Sequence, residues 1–381
     1  MSNILFLINN LRKGGAEKIL TNISNYASNK SYNVTICIFK DGVHYNLNNN
    51  VNVIRLNVFR ELFRFFNSFK KVIAKNSSKK KIVISNLNFS NYFNIILSFF
   101  TKHKPVIVLH FSLNYYTYSS KLNKYLMFPL HYTLQYILYG FSYKVISVSY
   151  DIKTYYKENM KLDSQLIYNP SFYIDHKIKS KFNPLDKNKI NIIQVGSFIN
   201  IKNHIELLNC LNKYLFKFCI QNNIQFTFIG DGPLKKNLRK YVIDNNIDKL
   251  VTFIGLVDNV DEYYYNCDFL ISTSKLEGLP TVLIEAISHN KPVVSTFQRS
   301  AYEIMSNDKQ EYNKNKIKIN DEFINLKTGL MYKQGNLEQL SNSIKYMCNN
   351  MQKFKFSNST KINILSKFDI KNFEKYEEIN N

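Results

Sequence analysis

Residues Ser274 to Ser295 read SKLEGLPTVLIEAISHNKPVVS and set two glutamates, Glu277 and Glu285, eight positions apart in a strongly basic chain. Pro280 suits the first position of a helix, because the N–H it lacks has no carbonyl partner there. Glu277 then lies in the loop before the helix and Glu285 five residues in, roughly 7.5 Å along the axis at about 1.5 Å per residue. Two carboxylates so placed straddle a helix N-terminus, where unpaired N–H groups and the helix dipole favour an anion. With a diphosphate docked there, each acid can accept hydrogen bonds from hydroxyls on its own side of the phosphates. A sugar nucleotide has that layout: ribose, two phosphates, hexose. The pair also has a plainer reading, an acidic residue beside a helix start and an ordinary exposed helix glutamate.

Three further loops carry residues suited to phosphate. In NNLRKGGAEKIL, Gly14-Gly15 follows a candidate first strand and lets the backbone approach a ligand before a helix starting near Ala16. In VGSFINIKNH, a strand ends at Gly196 and Lys202 stands just ahead of the next helix, able to lay a point charge on a phosphate. In FIGDGPLKKNL, a Gly-Asp-Gly turn precedes Pro233, which reads as a helix start. Each loop taken singly is equally explained by turn chemistry or a solvated lysine.

These loops need strands to end on and helices to lead into. Short β-branched runs alternate with amphipathic stretches throughout, the pattern of strand-helix-strand units and a parallel sheet. A first series begins at Ile4, Val34, Val51, Ile82, Val106, Lys144 and Gln165. A polar, strand-poor stretch after Pro170, SFYIDHKIKSKFNPLDKNK, reads as an interdomain connection. A second series begins at Ile190, Gln225, Val251, Phe269 and Pro292, with a weaker strand at Gly329. Two doubly wound halves follow, and 381 residues suit two cores better than one.

Bulk properties narrow the setting. With 45% hydrophobic residues and few Gly or Pro, the chain is globular. Its five cysteines are scattered and show no metal-ligand spacing, so buried free thiols in a reducing, cytoplasmic compartment are expected. The greasiest region, KYLMFPLHYTLQYILYGFSY, is interrupted by Pro129, His131 and Gln135 and fails as a membrane span. The net charge of +23 draws anionic partners whatever the fold: nucleic acid, anionic lipid or a phosphorylated substrate. The stretch FRELFRFFNSFKKVIAK has apolar residues on one helical face and Arg60, Arg64, Lys70, Lys71 and Lys75 mostly elsewhere. It reads either as a connector helix packed on the sheet or as a face that touches anionic lipid and draws the protein to a membrane-borne acceptor.

Taken in order, GGAE, VLH, VISVS, IYNP, VG…KN, GDGPL and EGLP…EA resemble glycosyltransferase family 4, in its bacterial surface-polysaccharide branch. The resemblance covers nearly the whole chain and implies the GT-B fold, an α/β architecture of two doubly wound Rossmann-like domains facing each other across a cleft. It implies an acceptor-side domain over 1–175, a nucleotide-sugar domain over 188–355 and a helical tail over 356–381 packing back on the first. The implied activity is retaining transfer of a sugar from a UDP- or GDP-sugar donor to a saccharide acceptor, lipid-linked, in capsule or O-antigen synthesis.

By the same resemblance, Glu285 contacts the ribose hydroxyls and Glu277 the transferred sugar. Gly278, Leu279, Pro280 and Thr281 lie along the phosphates, and Lys202 neutralises the diphosphate. Gly14 and Gly15 close over it, His110 lies near the sugar, and Ser197 and Gly255 complete the donor-binding set. No DxD motif is present, so the resemblance implies that helix and lysine stand in for a metal, and no cofactor or nucleic-acid partner is expected. Where the family reads Gly-Arg, this chain has Gly196-Ser197, which removes one cationic phosphate ligand and leaves Arg299 as a substitute. Three rival readings share these features: a nucleotide-sugar epimerase on the same fold, a non-catalytic polysaccharide-assembly protein, and a nucleic-acid binder, whose motifs are absent and whose basic residues are not concentrated.

Overall fold

The computed structural model describes residues 3–12, 14–56, 62–77, 80–119, 123–170, 182–306 and 323–380. Two compact units emerge. The first comprises Met1–Leu113, Leu122–Tyr173 and Lys367–Asn381, and the second comprises Asn114–Lys121 and Ile174–Ser366. Residues 171–181 of the expected connection and the first residues of FRELFRFFNSFKKVIAK lie outside the described residues.

The first unit holds β1 (Asn3–Ile8), β2 (Asn33–Ile38), β3 (Val51–Arg55), β4 (Ile82–Asn86), β5 (Lys104–Leu109), β6 (Lys144–Ser147) and β7 (Gln165–Leu166). They form one sheet in the order β3-β2-β1-β4-β5-β6-β7, every pairing parallel. The central strands are apolar runs without alternation because helices cover both faces. Those helices include α1 (Gly15–Asn29), α2 (Leu62–Asn76), α3 (Asn88–Thr101) and α4 (Phe128–Leu138). Phe69 and Ile73 of α2 are buried in the core with Leu5, Leu7 and Val83, while Lys70, Lys71 and Lys75 are exposed. In the last stretch of the chain, Phe373 packs edge-on against Tyr26 and Tyr32 of the same unit.

Helix α3 docks by polar groups. Asn91 Nδ2 donates to the Val108 carbonyl at 3.1 Å, and Asn94 Nδ2 donates to the carbonyls of Val83 at 2.9 Å and Val106 at 3.2 Å. His103 Nε2 lies 2.7 Å from Asn94 Oδ1, and its Nδ1 lies 2.6 Å from Thr101 Oγ1. Burial holds this histidine down at about 4.

The second unit repeats the winding. Its strands are β8 (Ile190–Val195), β9 (Ile224–Ile229), β10 (Val251–Gly255), β11 (Phe269–Ser272), β12 (Val293–Thr296), β13 (Ile324–Leu326) and β14 (Gly329–Tyr332). The order is β10-β9-β8-β11-β12-β14-β13, parallel except for the edge pair β13-β14. That antiparallel strand is absent from the sequence expectation: three residues, Ile324–Leu326, are too few to give a periodic signal. The helices used below are α5 (His204–Cys210), α6 (Asp261–Asn266), α7 (Thr281–Ser288) and α8 (Leu337–Asn350). Phe226, Phe228, Phe269 and Leu340 are among the residues of its core.

Three helix starts differ from expectation by a residue or two. Pro280 caps α7 with ψ 90°, outside the helical range, and Thr281 is the first helical residue. After Pro233 a further turn residue intervenes before the helix that begins at Lys235. Helix α1 begins at Gly15, one residue early, because Gly14 is the extended cap.

Candidate active site

In a doubly wound sheet the winding reverses between two adjacent strands, and the loops leaving their carboxyl ends diverge to open a crevice. In the second unit these strands are β8 and β11. The loop after β8 carries Gly196, Ser197 and Lys202; the loop after β11 carries Glu277 and runs into α7.

The two loops are tied to each other by backbone. The Lys275 N–H donates to the Ile201 carbonyl at 2.7 Å, and Thr273 Oγ1 donates to the carbonyls of Lys202 at 3.1 Å and Asn203 at 2.9 Å. Gln194 Nε2, from β8, donates to the same hydroxyl at 2.8 Å. With both loops so held, Lys202 Nζ meets Glu277 Oε1 at 2.5 Å, the two side chains being 24% and 12% exposed. An ion pair this shielded is screened little by salt, and losing one partner leaves the other charge without compensation. Ser300 Oγ donates to the Glu277 carbonyl at 3.1 Å and fixes the loop from the next helix.

Glu285 is the fifth residue of α7, one turn below its start. Its Oε2 accepts a hydrogen bond from the Tyr264 hydroxyl at 2.7 Å. Tyr264, on α6, is fully buried, and its phenol is pushed well above its ordinary value, first by burial and then by the Glu285 carboxylate. The His289 ring stacks on Tyr264 with centroids 5.5 Å apart, and its Nδ1 lies 2.8 Å from the Glu285 carbonyl. Both the carboxylate and the backbone of Glu285 are therefore oriented by one aromatic pair.

The floor of the crevice is backbone packed on backbone. The Gly196 N–H donates to Ile229 O at 2.9 Å, the Gly230 N–H to Gly255 O at 2.9 Å, and the Phe198 N–H to Asp231 O at 2.9 Å. A Cβ on Gly230 would land on the Gly196 carbonyl, and its φ of +148° already disfavours a side chain. Gly255 belongs to this floor through its carbonyl. Ser197 is exposed at the end of β8, while Gly278, Leu279 and Pro280 are buried beneath the start of α7. Pro280 has no N–H to offer, so among these four residues donors come from Gly278, Leu279 and Thr281.

The first unit places Gly14 and Gly15 after β1 and His110 after β5, at the carboxyl edge of its own sheet. The Tyr45 hydroxyl bridges the Gly14 N–H at 3.0 Å and the Gly14 carbonyl at 2.9 Å. The Glu17 carboxyl folds back over Gly14, and burial raises its pKa. His110 Nε2 lies 2.9 Å from Asn86 Oδ1, and burial holds the imidazole down at about 4, so it is neutral at pH 7. An amide oxygen can only accept, which puts the proton on Nε2 and leaves Nδ1 as an acceptor.

Sequence reasoning missed Tyr264, Thr273 and Tyr45. Each acts through another residue across a gap in sequence, and the second tyrosine in a run of three carries no mark of its role.

Residues 175–361 match the family model described as glycosyl transferases group 1. Over 301 residues the chain is 24% identical to the amylovoran biosynthesis glycosyltransferase AmsD of Erwinia amylovora, covering 77% of this chain and 81% of that protein. It is 29% identical over 297 residues to a Campylobacter jejuni α-1,4-N-acetyl-D-galactosaminyltransferase named for a diphospho-undecaprenol-linked saccharide, covering 75% and 77%. Among solved structures, Anabaena Alr3699/HepE with UDP and glucose superposes with a TM-score of 0.74 at 19% identity, covering 100% of this chain and 99% of that one. The sucrose-phosphate synthase of Thermosynechococcus elongatus gives 0.76 at 15% identity, covering 99% and 98%. The matched domain, the relatives along most of the chain and the paired Rossmann-like sheets make this protein a glycosyltransferase of the GT-B type.

Proposed function

We propose that the chain is a retaining hexosyltransferase of family 4 that moves a sugar from a nucleoside diphosphate donor to a lipid-linked saccharide in bacterial surface-polysaccharide assembly, working at the cytoplasmic face of the membrane. The observation that carries the reading is the shielded Lys202–Glu277 pair beside the start of α7, with Glu285 held one turn below. The relatives named for amylovoran and for a diphospho-undecaprenol-linked saccharide supply the acceptor class.

In this reading the diphosphate lies at the start of α7, against the N–H groups of Gly278, Leu279 and Thr281, and draws Lys202 away from Glu277. Glu277 is thereby released to accept hydrogen bonds from the hydroxyls of the sugar. Glu285, oriented by Tyr264, accepts from the ribose. Cleavage of the anomeric bond leaves negative charge on the departing phosphate, and fixed dipoles with Lys202 stabilise that charge without reorganising. The proton of the acceptor hydroxyl goes to the leaving phosphate in a same-face attack. His110, neutral with Nδ1 open to accept, and the Gly14–Gly15 loop lie at the carboxyl edge of the first unit's own sheet, and Ser197 leaves the diphosphate with Lys202 and Arg299 as its cations.

The test is donor screening by thermal shift against UDP- and GDP-sugars, because a ligand bound to the native state raises its stability by mass action. A bound donor that is hydrolysed by wild type, left intact by Glu285→Ala, and transferred with retained anomeric configuration by NMR supports the reading. No shift with any nucleotide removes it. Conversion of the donor to another nucleotide sugar or free sugar epimer without any acceptor would favour the epimerase.

A further inference from the structure

An ordinary surface helix turns its apolar stripe to the core and a polar face to solvent; α3 buries Tyr92, Ile95 and Leu97 in that way, but its outer face is not polar. Its buried side includes Asn88, Ser90, Asn91, Asn94 and Thr101. Every residue it exposes is apolar: Phe89, Ile96, Phe99 and Phe100, the last two 57% and 63% exposed. The exposed rings do not stop at α3. Phe99 meets Phe141 edge-on at 5.4 Å, and Tyr136 and Ile137 of the neighbouring α4 are 62% and 55% exposed.

Charge along this stretch of sequence has one sign. Between Glu61 and Asp151 the sequence contains no Asp or Glu and twelve Lys or Arg residues. Lys102 ends α3 with an exposed side chain, and Lys104 and Lys144 set their ammonium groups over the Tyr143 ring at 4.6 and 5.9 Å. Phenyl and aliphatic groups flanked by tyrosines and lysines, from a stretch of sequence without acids, are the composition of a surface that lies in the headgroup region of a bilayer. Among the described residues no helix is long and apolar enough to cross a membrane. The positive flank also selects among occupants, since a second copy of this face would bring like charges together whereas anionic lipid neutralises them.

We propose that the exposed face of α3 and α4 is a monotopic membrane-docking surface for anionic phospholipid, with Phe99, Phe100, Tyr136 and Ile137 entering the headgroup boundary and the lysines meeting lipid phosphates. The inference deepens the reading of a lipid-linked acceptor but is tested without donor or acceptor. It adds α3 and α4 to the basic face of α2, whose Phe69 and Ile73 are committed to the core while Lys70, Lys71 and Lys75 are exposed.

The experiment is flotation of the full chain with phosphatidylcholine vesicles, with and without phosphatidylglycerol, at low and high salt. Wild type should float with the anionic vesicles and lose binding as salt rises. Phe99→Ser/Phe100→Ser and Tyr136→Ser/Ile137→Ser should each lower the partition coefficient about tenfold. Nucleotide-induced thermal shifts should be unchanged, because these side chains belong to none of the loops assigned to the donor. Should a serine variant lose its fold, Lys102→Glu/Lys104→Glu provides a second arm and should reduce anionic binding only. Three results overturn the proposal: no flotation of wild type at low salt, equal flotation of folded variants, or a wild-type dimer that the serine variants dissociate while lipid binding is absent. A protein that floats yet binds no nucleotide would sink the glycosyl-transfer reading and leave the surface standing.

Discussion

Tyr264 and Glu285 lie on different helices, α6 and α7, and are joined by a single 2.7 Å hydrogen bond from the phenol to Oε2. The carboxylate thus has a fixed direction before any ligand arrives, and an interaction prepared in this way loses less entropy on binding.

Replacing Tyr264 by Phe keeps the ring, its packing on His289 and the buried volume, and deletes only the donor. One hydrogen bond to a charged group amounts to about 1.5–3 kcal/mol when both partners are buried, less where solvent reaches the acceptor. Donor affinity should fall about five- to tenfold, with a smaller change in turnover and little change in Tm. Calorimetric titration with the donor beside a melting curve separates positioning from packing.

Glu277→Gln should act in opposite directions on two ligands. Without its carboxylate partner, Lys202 is free for phosphate, so UDP or GDP alone should bind a few-fold more tightly than to wild type. Sugar transfer should nevertheless collapse, since the hydroxyls of the sugar lose their strongest acceptor. Lys202→Met should weaken nucleotide and donor together. Equal weakening of the bare nucleotide in both variants would contradict a competing ion pair.

Gly230→Ala should destabilise the second unit without touching a charged group. The added carbon meets the Gly196 carbonyl, and a φ of +148° is unfavourable for alanine. A loss of about 1–3 kcal/mol is expected from backbone strain of this kind. Thermal melting reads it directly, and an unchanged Tm would show that the two loops separate easily.

Acid should weaken the fold through its buried histidines. His103 is 4% exposed and held at about 4 in the native state, against 6.5 when unfolded. Between those values the unfolded chain binds the proton and the native chain does not, so stability is complete above pH 6.5 and falls as pH drops toward 4. The full shift corresponds to about 3 kcal/mol at 1.36 kcal/mol per pH unit. His204, buried between Phe198 and Phe228 and held down at about 3 by burial and then by Lys202, adds in the same direction. His103→Gln should flatten the profile of Tm against pH across that interval.

Thirteen of the fourteen strands among the described residues coincide with short β-branched or apolar runs, and the central ones are apolar end to end because helices cover both faces. The exception is β13, whose pairing with β14 is long-range and leaves no local periodicity. Lys202 and Glu277 are legible as residue types beside strand ends, and their mutual contact is not, because it depends on Thr273 and Lys275 tying two loops 70 residues apart in sequence. Nothing local marks the two sides of α3: Asn91 and Asn94, which donate to carbonyls of β4 and β5, share its buried side with Tyr92, Ile95 and Leu97, while Phe89, Phe99 and Phe100 lie outside.

An element fastened by amide–carbonyl bonds cannot slide. Hydrophobic contacts tolerate a small slip in register, whereas the reach from Asn94 to the carbonyls of Val83 and Val106 vanishes with a displacement of one residue. Asn91 and Asn94 of α3 therefore admit almost no replacement, and the outward positions admit any bulky apolar side chain. Sequence drift along this helix should follow the opposite rule from most helices: invariance in its polar residues, free exchange among Phe, Leu and Ile on its outer side.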